Sequence, residues 1–369
     1  MKTPIIPLCT VAWLCLLADA ASPQTIVKDI YPMCGPARHS GQDCITAAKD
    51  HTYLAEFEET SGIELWESQG AEAGTVLVKD IFPGKNSSRP SFLTNVNGSL
   101  FFSADDGIHG TELWKTDGTE SGTVLVADLH PTGSSFPTAL ININGTLFFS
   151  ANNAISGSEL WKSDGTREGT VLLKDINPGA ASSCPAELTN IHGTLFFSAD
   201  DGANGVELWK SDGTRKGTVL VMAIRYGGSS FPTELTNVNG TLFFSASDEN
   251  NKRALWKSNG TQEGTVLIRY ICPKRNSLLS DFTSVNSRLF FAVSHGSTTA
   301  LWQSSGEAAG TAPVHSVNNR ITTGLISHLS AVGDLLYLVT SSGAKGSALW
   351  RTDGTAAGTI QVASTNIPY

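Results

Sequence analysis

The residues in this chain best suited to chemistry are acids in short, glycine-bearing loops. Asp105-Asp106-Gly107 and Asp200-Asp201-Gly202 place paired carboxylates beside a glycine, and His109 follows the first pair within one loop. Short loops rich in carboxylate oxygens are what calcium takes as ligands. The alternating acids at loop positions one, three and five of a full calcium loop are absent, however, and Asn152-Asn153 fills the equivalent place one repeat away. Asp and Asn at such places also cap turns with their own side chains. Asp105, Asp106, His109, Asp200 and Asp201 are therefore the leading candidates for ligand contact. No cofactor is expected; calcium at Asp105, Asp106, Asp200 and Asp201 is the alternative.

Other constellations point to structure. Glu64, Glu112, Glu159 and Glu207 each precede Leu-Trp. A catalytic acid needs a singular environment, and a residue repeated fourfold does one structural job each time, most simply hydrogen bonding to a neighbouring turn. Lys28-Asp29, Lys79-Asp80 and Lys174-Asp175 read as solvated strand ends carrying weak surface ion pairs. The eight histidines lack metal spacing, and no nucleophile elbow, phosphate loop or dinucleotide fingerprint occurs. No catalytic residue is assigned.

The elements that must carry these loops are set by a repeat. Trp66, Trp114, Trp161, Trp209, Trp256, Trp302 and Trp350 stand 46 to 48 residues apart. Self-similarity at that period marks units that stack because none buries its apolar surface alone. Each unit offers four strands, in the second unit near residues 92–96, 100–104, 112–115 and 123–129. Asn97-Gly98, Asn144-Gly145 and Asn239-Gly240 are signals for two-residue hairpins, which require positive φ at both central residues. Asp117-Gly118, Asp164-Gly165, Asp212-Gly213 and Asp353-Gly354 mark a second turn per unit. Runs such as Leu147-Phe148-Phe149 are apolar on both faces, as sheets stacked on both sides must be. The expected fold is all-β: a seven-bladed β-propeller with four-stranded blades and a repeat of about 47 residues. The Thr-Val-Leu-Val strand recurs at both ends, near 25–30 and 359–362, and either copy fits as the outer strand of the last blade.

Residues 1–20 read as a signal peptide, with Lys2, an apolar run over 5–17 and Ala18-Asp19-Ala20 at the cleavage site. Residues 21–369 then form one propeller domain of seven repeats, exported and without a membrane span. The net charge of −9 argues against nucleic acid and anionic lipid as partners. In an oxidising compartment Cys34 and Cys44 read as a local disulfide, while Cys184 and Cys272 read as two partly buried free thiols. Asn86, Asn97, Asn144, Asn239 and Asn259 head glycosylation sequons, to be used if the host is eukaryotic.

The run Glu-Leu-Trp-Lys-Ser-Asp-Gly-Thr at residues 159–166 and its identical copy at 207–214 resemble the ELWxxDGT repeat family. The resemblance covers almost all of the chain after the signal and implies a propeller-like extracellular repeat module, with no catalytic residue to carry over. It decays toward the C-terminus, where Ala254, Ala300 and Ala348 replace the glutamate. Together these features favour an exported binding or adhesion module for a glycan, peptide or surface polymer. A secreted hydrolase or lyase with a site at the channel mouth, and a structural matrix or envelope component, are the alternatives. Any ligand is expected on the face carrying the variable loops, not on the face of tight Asn-Gly and Asp-Gly turns.

Overall fold

A computed structural model describes residues 45–70, 74–271, 277–296, 298–314, 325–341 and 346–365. The chain folds into seven four-stranded antiparallel sheets, each a meander of four consecutive strands. They occupy residues 45–79, 91–127, 138–174, 186–222, 233–269, 277–313 and 325–365, numbered here one to seven. The architecture is all-β and propeller-like, and no helix among the described residues is long and apolar enough to cross a membrane.

Sheet two shows why the sequence folds this way. Its strands are Ser91–Val96, Ser99–Asp105, Thr111–Thr116 and Val124–Ala127. Asn97 and Gly98 have φ of 53° and 86°, the geometry of a type I′ turn, so the chain reverses in two residues. Successive side chains of a strand point to opposite faces. Phe102 and Trp114 accordingly pack against Leu65 and Val78 of sheet one, while Phe101 and Leu113 pack against Phe149 and Trp161 of sheet three. That division explains the double-phenylalanine strands: each neighbour receives one ring. Phe102, Phe149, Phe197, Phe244 and Phe291 are fully buried, and each contributes about 2–3 kcal/mol of transfer free energy. Six such clusters join the consecutive pairs of sheets, so the core lies between sheets.

The repeated signature is architectural in nearly every letter. Glu112 is fully buried, and its carboxylate accepts the Leu129 N–H, the Ser135 N–H and the Ser135 hydroxyl at 3.0, 2.8 and 2.5 Å. Glu64, Glu159 and Glu207 repeat this clamp on Ser88, Ser183 and Ser230. Burial pushes each of these carboxyls up, and the hydrogen bonds pull back only part of the way. In the Asp-Gly-Thr turn, Asp117 accepts from the Thr119 N–H and hydroxyl at 3.0 and 2.7 Å. A side chain on Gly122 would fall onto that carboxylate, which is why the second glycine recurs. Ala254, which replaces the clamp glutamate, is fully buried and so faces no partner.

One reading changes, and one choice that the sequence left open is made. Lys79 and Lys174 are not free strand ends: their ammonium groups donate to the Thr123 and Thr218 carbonyls of the following sheet at 2.9 and 2.6 Å. The seventh sheet takes its fourth strand, Ile360–Thr365, from the C-terminal copy, paired with Ser347–Thr352. Residues 25–30, the signal segment, Cys34, Cys44 and Cys272 lie outside the described residues.

Candidate functional site

The acids singled out by the sequence cap their own loops. Asp105 accepts the Gly107 N–H at 2.7 Å, and Asp106 accepts the Ile108 and His109 N–H groups at 2.9 and 2.8 Å. The second Asp106 oxygen meets His109 Nδ1 at 2.7 Å. Burial alone would raise the Asp106 carboxyl, but its hydrogen bonds from His109 and Ile108 outweigh it and hold the group below the usual range. The hydrogen bond to Asp106 raises the His109 imidazole in turn. Asp200 and Asp201 repeat the arrangement on Gly202, Ala203 and Asn204. The two loops belong to sheets two and four, with sheet three between them, so the structure does not gather these four carboxylates into one centre. Among the described residues no group of three His, Cys, Asp or Glu side chains is placed to hold a metal. The sequon asparagines Asn86, Asn97, Asn144, Asn239 and Asn259 are all exposed.

A different cluster emerges from the stacking. The first strand of each sheet lies against the first strand of the next, forming a common inner edge. Each of these strands from sheet two onward has a bulge near its start, with one residue at positive φ: Phe92, Ala139, Glu187, Glu234, Asp281 and His328. The first two are apolar and the last four are titratable. Glu187 reaches across to the next inner strand, where one carboxylate oxygen accepts the Glu234 and Leu235 N–H groups at 2.8 and 3.4 Å. Glu234 does the same to the Phe282 N–H at 3.1 Å, and Asp281 accepts the Ser280 hydroxyl at 2.9 Å.

Arg253 opens the third strand of sheet five, where other sheets have Thr111, Ser158 or Val206. Its Nε donates to Ser245 Oγ at 2.9 Å and its Nη2 to the Phe231 carbonyl at 3.1 Å and to Thr233 Oγ1. Burial draws the guanidinium below the usual arginine range, and the charge of Glu187 opposes this. The inner edge of sheets four to seven is thus a strip of three acids and a histidine beside a partly buried arginine. It carries charge and hydrogen-bonding capacity, and within it Ser280 donates its hydroxyl to the Asp281 carboxylate.

Glu187 supplies a pH test. Burial pushes its carboxyl up to about 7, against the pull of the Leu235 N–H and Arg253. A folded-state pKa above the unfolded value contributes stability that is complete below the unfolded carboxylate range and is lost as pH rises through about 7. Wild type should therefore lose stability relative to Glu187→Gln between mildly acidic and mildly alkaline pH, by up to about 3 kcal/mol. Denaturant unfolding across that range checks this; parallel curves for the two proteins would refute it.

At the same end of the inner strip, the residues three before each positive-φ position form a second series in one register. Phe136, Phe231, Leu278 and Leu325 are 62%, 52%, 56% and 55% exposed, with Arg89 exposed at its equivalent place and Cys184, a free thiol expected to be partly buried, exposed at its own. The loops carrying Asp106 and Asp201 share this face: the Thr111 N–H donates to Ser134 Oγ of the following connection, and the Val206 N–H to Ser229 Oγ. Variable loops, apolar crown and acidic strip therefore meet at one end, whereas the tight Asn-Gly and Asp-Gly turns occupy the other.

No family model and no curated protein matches this chain. Solved structures do match, at the level of fold. Puromycin hydrolase aligns with TM-score 0.53 and 14% identity over 89% of this chain and 54% of its own. A structure from a study of two prolyl endopeptidases aligns with TM-score 0.53 and 10% identity over 90% and 50%. Prolyl oligopeptidase B from Galerina marginata, bound to a 35mer substrate, aligns with TM-score 0.55 and 11% identity over 89% and 51%. The matching part is their β-propeller domain. This chain spans about half the length of the structures it matches. These neighbours correct the expectation of an exported binding or adhesion module, because in them the propeller is one part of an enzyme.

Proposed function

We propose that this chain is the propeller component of a peptide-hydrolysing enzyme, shaping the approach of a peptide to a catalytic unit outside the described residues. The observation that carries this reading is the alignment of nearly nine-tenths of the chain with the propeller domains of puromycin hydrolase and prolyl oligopeptidases. The inner strip supports it. Its acids fit the cationic amino end of a peptide, and the apolar crown around it fits the contact with the catalytic unit. In this reading the seven sheets close into a ring of blades, with sheet seven against sheet one. Seven near-equal repeats joined through six similar interfaces support closure, and an experimental map with those two sheets apart would overturn it.

The strip gives the test. The hydrolytic assembly is isolated through a tag on this chain, with wild-type sequence or with Glu187→Gln and Glu234→Gln combined. The double variant is expected to lower kcat/KM for short peptides with a free amino terminus by roughly tenfold, the worth of one charge-assisted contact. Peptides with a blocked amino terminus should be unaffected. Equal kcat/KM for both substrates in both proteins would overturn the assignment of the strip.

A further inference from the structure

The Asn-Gly turns carry a chemical hazard that their surroundings suppress. In an Asn-Gly pair the glycine nitrogen, once it loses its proton, attacks the asparagine side-chain carbonyl carbon. A five-membered succinimide forms and ammonia leaves. Water then opens the ring to give aspartate or isoaspartate, so the net change is amide plus water to carboxyl plus ammonia. No other reactant is needed, and glycine offers the attacking nitrogen with the least hindrance. Five asparagines, Asn97, Asn144, Asn204, Asn239 and Asn259, are followed by glycine; the three in two-residue hairpins between a first and a second strand, Asn97, Asn144 and Asn239, are exposed to the water that completes the reaction.

At each turn the attacking nitrogen is occupied. The Gly98 N–H donates to Asn95 Oδ1 at 2.9 Å, the Gly145 N–H to Asn142 Oδ1 at 2.9 Å and the Gly240 N–H to Asn237 Oδ1 at 2.8 Å. Removing the proton would break that bond and set the new negative charge against the lone pairs of an amide oxygen, itself too weak a base to take the proton. The capping side chains are anchored in turn. Asn95 Nδ2 donates to the Ala47 carbonyl, Asn142 Nδ2 to the Asn95 carbonyl and Asn237 Nδ2 to the Asn190 carbonyl, at 3.2, 2.9 and 3.2 Å. Each anchor lies in the preceding sheet, so the cap holds only while neighbouring sheets stay in contact. His192-Gly193 in sheet four has the same cap from Asn190, at 2.9 Å, with no asparagine to protect.

We propose that Asn97, Asn144 and Asn239 are latent deamidation sites, kept closed by the hydrogen bonds that Asn95, Asn142 and Asn237 accept from the following glycine. Opening an interface between sheets releases the cap and exposes the turn to the reaction. The product adds a negative charge and, as isoaspartate, one extra backbone carbon to a two-residue hairpin whose length fixes the strand register.

The test is peptide mapping by mass spectrometry after incubating the full chain at mildly alkaline pH. In Asn142→Ala, deamidation at Asn144 is expected to accelerate by roughly tenfold, the worth of one lost hydrogen bond. Asn97 and Asn239 in the same molecules should keep their wild-type rates and serve as internal clocks. Asn142→Asp, which keeps an oxygen acceptor, should leave Asn144 slow. An unchanged Asn144 rate in Asn142→Ala, equal acceleration at all three sites, or equal acceleration in Asn142→Ala and Asn142→Asp would each overturn the proposal.

Discussion

Replacing Glu159 with alanine is expected to lower the melting temperature by roughly 5–10 °C, more than any single substitution in the exposed Asp-Gly turns. The side chain is fully buried. Its carboxylate accepts the Ile176, Asn177 and Ser183 N–H groups and the Ser183 hydroxyl, at 2.8, 3.4, 2.9 and 2.6 Å. Alanine leaves these buried donors without their acceptor, at a cost of about 3–5 kcal/mol. Glu159→Gln keeps one acceptor oxygen and should lose less. A melt of Glu159→Ala within about 1 °C of wild type would show that the clamp adds nothing to stability.

Trp161→Ala should have an effect of similar size for a different reason. The indole is 7% exposed and packs among Phe101, Leu113 and Phe149, between sheets two and three. Its Nε1 donates to the Ala151 carbonyl at 3.0 Å. Truncation leaves a cavity between two sheets and typically costs about 3–5 kcal/mol. The loss should appear as one cooperative transition moved to lower temperature, since each sheet is stabilised by its neighbours. A separate early transition confined to a small part of the signal would instead show that sheets two and three unfold on their own.

Much of the architecture was legible because it is written in local chemistry. The tryptophan period gave the number of sheets, and Asn97-Gly98 and Asp117-Gly118 gave the turns inside one. The inner strip was not legible in the same way. Glu187 and Glu234 read as ordinary acids at the start of a strand, since no local pattern says which edge of a sheet will face inward; that depends on how the sheets stack. The available signal was a register: Phe92, Ala139, Glu187, Glu234, Asp281 and His328 follow one another at the repeat spacing and change from apolar to titratable part-way. Lys79 and Lys174 were misread for a related reason, because each finds its carbonyl 44 residues ahead in the next repeat. Asp105 and Asp106 have the residue types of cation ligands, yet their side chains accept from the N–H groups of their own loop.

The most direct measurement is hydrolysis of puromycin and of short proline-containing peptides by this chain in two forms. One is the purified chain alone; the other is the assembly recovered through a tag from its native cells, with and without a serine-directed inhibitor. If the propeller is one part of a peptidase, the assembly hydrolyses these substrates, the inhibitor abolishes the activity, and the chain alone is inert. An assembly with no hydrolysis above that of untagged cells, or a purified chain that matches the assembly's rate, would contradict it.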